Sequence, residues 1–103
     1  MKLAVNKCYG GFGLSQFAVD WLKAKTGRDK YFYCENTKHR AEPELIELFE
    51  TYPVEKLNDS YADIKIIKIP DEATDYLIRV EEAEECCGYE EIFYVVDGKI
   101  HTA

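Results

Sequence analysis

With 103 residues, 47% of them hydrophobic and 14% aromatic, the chain is long enough for one core between layers of secondary structure and too short for two, so residues 1–103 are expected to form a single domain. No apolar run nears the roughly 20 residues that cross a bilayer, and Met1 leads into a short strand pattern rather than a signal-peptide apolar region, so an intracellular protein with no membrane partner is expected. The net charge of −7 argues against duplex DNA as a partner, yet it is uneven: residues 1–40 hold eight Lys and Arg against three acids, and residues 41–103 hold five against seventeen.

KLAVNK, residues 2–7, alternates Leu3 and Val5 with other neighbours and predicts a first strand. CYGGFGLSQF, residues 8–17, follows and holds three of the six glycines. Ser15 is a good N-cap, and Phe17, Ala18, Trp21, Leu22 and Lys25 keep three-and-four spacing up to Gly27, which suits the position just past a helix end. KYFYCEN, residues 30–36, is dense in strand-favouring aromatics and predicts a second strand. After the polar loop NTKHRAE, Pro43 suits a first helical turn, and Leu45, Ile46, Leu48, Phe49 and Tyr52 predict a second helix ending at Pro53. DIKIIKIP, DYLIRVEE and EIFYVVDGKIHT predict further strands, with Asp97-Gly98 a two-residue hairpin signal. The order implies an α/β or α+β fold: one mixed sheet of about five strands with a right-handed βαβ start, two helices and antiparallel C-terminal strands.

The four cysteines, Cys8, Cys34, Cys86 and Cys87, lack the paired CxxC spacing of a zinc site and are expected to be reduced thiols, with no metal and no cofactor. Adjacent Cys86 and Cys87 cannot both enter one core from a regular strand, which puts one of them in a turn. A Cys8 near a helix N-terminus would have a lowered pKa if exposed, but a buried thiol is the plainer reading. Neither His39 nor His101 has a Ser or Cys at a catalytic spacing. The runs Glu81-Glu82, Glu84-Glu85 and Glu90-Glu91 read as solvated charge. No complete catalytic set emerges, so an enzyme is not expected.

Parallel first and second strands would bring CYGGFGLS and NTKHRAE to one carboxyl edge of the sheet, where open α/β sheets bind ligands. Gly10, Gly11, Gly13 and Ser15 would offer amides at a helix N-terminus to a phosphate, while Lys38, His39 and Arg40 would balance its charge. Tyr9 and Phe12 would stack a base, or else pack inward, for instance on Trp21. G-G-x-G is neither the dinucleotide fingerprint nor the P-loop, and the glycines could equally serve positive φ and close packing.

LAVNKCYGGFGLSQFAV resembles the opening of a group of short uncharacterised bacteriophage proteins, most closely over residues 3–19. The resemblance implies an accessory phage protein of the host cytoplasm. Two readings follow for its role. One is non-catalytic sequestration of a small anionic ligand, a nucleotide-derived immune signal, in a pocket that a homo-oligomer could complete. The other is an acidic protein-interaction module that inhibits a host defence or nucleic-acid-binding protein.

Overall fold

The computed structural model describes residues 1–8, 11–82 and 88–103. Its spine is β1 (Lys2–Asn6), in which Leu3, Ala4, Val5 and Asn6 have no exposed surface. Successive side chains leave opposite faces of a strand, and Leu3 and Val5 accordingly enter one apolar cluster while Ala4 enters another.

On the Ala4 side lie the helices. α1 (Gln16–Thr26) is capped by Ser15, whose Oγ accepts from the Ala18 amide at 3.2 Å, and is stopped by Gly27 at φ 77°. Its Ala18, Val19 and Leu22 face inward, and α3 (Pro43–Thr51), which begins on Pro43, contributes Leu45, Ile46, Leu48 and Phe49. A single further turn, α4 (Val54–Leu57), follows Pro53 and buries Leu57.

On the Leu3 side lies a separate sheet of β3 (Asp75–Glu82), β4 (Gly88–Val96) and β5 (Lys99–Thr102), in that order and antiparallel throughout. Its Ile78 and Ile92 close on Leu3, Val5 and Ile69. Asp97 and Gly98, at φ 54° and 74°, make the expected tight turn between β4 and β5. The architecture is therefore α+β in three layers: helices, a two-stranded sheet and a three-stranded sheet. No helix among the described residues is long and apolar enough to cross a membrane.

Two expectations need correction. The sheet is not single, and its start is not a parallel βαβ unit: β1 pairs antiparallel with β2 (Ile64–Lys68), Lys2 opposite Lys68 and Asn6 opposite Ile64. Residues 30–36 do not form a strand either. They hold the short helix α2 (Phe32–Glu35), followed by a 3₁₀ turn at Thr37–His39. The aromatics here are consecutive rather than alternating, and the helical turn buries only Tyr33 while leaving Tyr31 exposed. Local bonds select the turn: the Tyr31 amide donates to Asp29 Oδ1 at 3.0 Å, and the Glu35 and Asn36 amides donate to the Tyr31 and Phe32 carbonyls. Strand propensity reflects packing on a pleated surface, and the position beside β1 goes instead to Arg40, whose carbonyl accepts from the Ala4 amide at 3.0 Å.

Candidate functional site

Residues 7–8 and 13–15 run beside residues 56–63. The Lys7 amide donates to the Asp63 carbonyl at 2.8 Å, the Asp59 amide to the Gly13 carbonyl at 3.1 Å, and the Ser15 amide to the Leu57 carbonyl at 2.7 Å. Side chains tighten the same seam. Asn6 Nδ2 donates to the Cys8 carbonyl, Asn6 Oδ1 accepts from the Asp63 amide, the Cys8 thiol donates to the Tyr61 carbonyl, and Ser15 Oγ donates to the Lys56 carbonyl.

Two of the glycines have visible reasons. Gly11 sits at φ 91°, a conformation that favours glycine. Gly13 lies so close to Asp59 that a Cβ there would overlap its carboxylate. The anion beside Gly13 is thus one of the chain's own. Tyr9 and Gly10 fall outside the described residues.

Phe12 points inward, into the apolar cluster against which Trp21 also packs, and its ring lies under the Arg40 guanidinium, 3.7 Å from Cζ to the ring centroid. The polar loop and the glycine segment do meet, through Arg40 and Phe12, by a route other than a shared parallel sheet edge. Arg40 has no exposed surface. Its Nε donates to the Tyr33 carbonyl at 2.6 Å, Nη1 to the Ala4 carbonyl at 3.2 Å, and Nη1 and Nη2 to the two carboxylate oxygens of Glu90. Glu90 Oε1 also accepts from the Asn6 amide at 2.8 Å, and Lys7 Nζ donates to the Glu90 carbonyl at 2.9 Å. A bidentate guanidinium–carboxylate pair of this kind is geometrically specific. Here it ties β1, the Arg40 segment and β4 together across the two apolar clusters.

Lys38 and His39 are exposed, and no described hydrogen bond or ring contact joins them to residues 11–15. The Lys38 carbonyl accepts from Tyr76 Oη at 2.7 Å, which fastens the 3₁₀ turn to β3. His39 Nδ1 lies 3.3 Å from Glu42 Oε2, and its ring meets Phe32 edge-on. Glu42 also accepts from Tyr33 Oη at 2.7 Å and from Arg28 Nη2 at 3.4 Å. Burial pushes the Glu42 carboxyl up, but hydrogen bonds from Tyr33 and Arg28 outweigh it and hold the group below its ordinary range. Tyr33 moves the other way, raised first by burial and then by its bond to the Glu42 carboxylate. These contacts make a second polar cluster that clamps α2 to the start of α3.

Sequence reading missed Glu90, Asn6, Asp59 and the Tyr33–Glu42 contact. A signal existed for Glu90, because strand alternation places it on the face of Ile92 rather than among solvated acids. Asp59 and Glu42 lie in polar loop sequence, with no local pattern to mark them. Among the described residues no group of three His, Cys, Asp or Glu is placed to hold a metal ion. Cys8 and Cys34 are partly buried, while Cys86 and Cys87 lie outside the described residues. His101 stacks on Tyr94 at 5.4 Å between ring centroids.

Chemically, the described cluster is an internal joint: its donors and acceptors serve one another, and its arginine is closed to solvent. Comparison of the chain with protein-family models, curated proteins and solved structures finds no match.

Proposed function

We propose that the chain is a non-catalytic interaction module that binds a basic protein partner through its acidic C-terminal part. In the setting implied by the bacteriophage resemblance, that partner is a host defence or nucleic-acid-binding protein. The observation that carries this reading is the segregation of charge along the chain. Residues 69–103 hold ten acids and two basic residues, whereas residues 1–68 hold ten acids and eleven basic residues. The acidic part contains all three strands of the separate β3–β4–β5 sheet; Glu90 is paired inward with Arg40 and Asp71 with the N-terminal amine, which leaves eight acids against two basic residues in this part of the sequence. Charge concentrated in this way speeds encounter with an oppositely charged surface and rejects like-charged partners.

Capture of a nucleotide-like anion by the glycine segment has less support. Arg40 is engaged by Glu90, Phe12 lies beneath Arg40, Ser15 caps α1, and Gly13 faces the Asp59 carboxylate.

The test is a titration of the chain with polylysine, followed by NMR at low and high salt, beside a thermal-shift panel of cyclic and linear nucleotides. Polylysine is expected to move resonances of β3, β4 and β5, with binding that weakens as salt screens the charges, and the nucleotides to leave the melting temperature unchanged. A nucleotide that raises the melting temperature, with polylysine leaving the sheet unmoved, would return the assignment to ligand capture.

A further inference from the structure

We infer that the outer face of the three-stranded sheet is the docking site, and that it receives one aliphatic side chain of the partner with a neighbouring cation. This rests on the acidic-module reading and adds to it a place and a partner chemistry.

Alternation along the strands sends Ile78, Glu90 and Ile92 inward and Leu77, Glu91, Phe93, Val95 and Ile100 outward. Register gathers the apolar ones: Leu77 lies opposite Phe93, and Val95 opposite Ile100. Leu77 is 62% exposed and Ile100 74%. Together with Phe93 and Val95 they line a hollow of about 130 Å³. A cavity of roughly 150 Å³ holds benzene, so the space suits a single leucine-sized group.

The charge at its rim selects the neighbour of that group. Asp75 lines the same hollow, is exposed, and makes no ion pair among the described residues. Arg79 and Glu91 lie opposite each other across β3 and β4 and offset one another. Asp75 is therefore the unbalanced charge beside the apolar floor, and a lysine or arginine next to the inserted side chain answers it. A second copy of this chain is a poor occupant, because the outer face carries Asp75 and Glu91 against Arg79 alone among the described residues, so two such faces meet with like net charge.

The experiment is an NMR titration of the chain with the acetylated, amidated peptide Lys-Lys-Leu-Lys-Lys and with the same peptide carrying glycine in place of leucine, on the natural chain, Ile100→Ser and Asp75→Asn. Both variants change exposed side chains, and circular-dichroism melts that match the natural chain establish their fold. The leucine peptide is expected to shift the Leu77, Val95 and Ile100 methyls saturably. Glycine in the peptide, or serine at position 100, should weaken binding by about tenfold or more, and Asp75→Asn by less. Equal binding of both peptides overturns the anchor site while leaving the acidic module standing, and no binding by either overturns both. A dimer in sedimentation whose outer-face methyls are shielded overturns it in favour of a second copy.

Discussion

On the inner face of the three-stranded sheet, Ile78 and Ile92 close on β1 and Glu90 is paired with Arg40; on the outer face, Leu77 and Ile100 stand in solvent. The same three strands therefore bury an acid and expose aliphatic side chains. An isolated amphipathic sheet would do the reverse, with polar residues outward. The inner acid is tolerable because a guanidinium supplies both charge and hydrogen bonds; uncompensated burial of a carboxylate is prohibitive. The outer aliphatic residues have no such internal explanation, and that asymmetry sets structural residues apart from those available to a partner.

The strongest way to break the comparison is Glu90→Ala, which leaves the Arg40 guanidinium buried without its carboxylate. A loss of about 3–5 kcal/mol is expected in urea denaturation. Joint replacement of Arg40 by Met and Glu90 by Leu should recover only part of it: no charge is left unpaired, but the Tyr33 and Ala4 carbonyls and the Asn6 amide lose a partner.

Next in size is Gly13→Ala. The added methyl meets the Asp59 carboxylate, and swinging that carboxylate aside gives up its hydrogen bond from the Tyr61 amide, a cost of about 1 kcal/mol. Asp59→Ser in the same chain should relieve it; an unaltered stability for Gly13→Ala alone would mean that close approach is not why glycine stands there.

A pH series sharpens the contrast at the second polar cluster. The folded carboxyl of Glu42 lies below its ordinary value of 4.5, so its contribution is present above that value and is lost as pH falls through the lower, folded one. Glu42→Gln should flatten the acid limb of stability while sparing its neutral-pH shape. Tyr33 acts at the other end: with its folded pKa raised above the ordinary 10.0, stability should fall as pH rises past that value, because the unfolded chain ionises first.

The smallest expected effect is on the outer face. Ile100→Ser should change stability by no more than about 0.5 kcal/mol, measured in the same urea experiment as Glu90→Ala. A large loss there would make the outer face a structural surface and remove the asymmetry.

Where local chemistry was sufficient, the sequence was readable. Ser15 and Gly27 bound α1 because a hydroxyl cap and a left-handed residue act within a turn of their own position. Asp97-Gly98 closes the β4–β5 hairpin for a similarly local reason, and Pro43 opens α3. The aromatic run at 30–36 misled because strand preference is a statement about a neighbouring surface, and the place beside β1 had gone to Arg40. A strand there would entail a parallel βαβ start, and with it a single sheet. The candidate site was legible only as a meeting of two loops. Phe12 and Arg40 do meet, but the carboxylate that engages the arginine lies 50 residues further along, at Glu90.

By itself the sequence determined the helix ends, the C-terminal hairpin, the alternation of the last strands and the gathering of acidic charge after residue 68, because each depends on neighbours a few positions away or on composition. Tertiary structure alone decided that β1 pairs with β2, that Arg40 faces inward to Glu90, that Gly13 receives Asp59, and that one apolar face of the last sheet is covered while the other is open. Those outcomes depend on which distant segment arrives at a given surface, and a one-dimensional pattern carries the face of a strand but not the identity of what covers it.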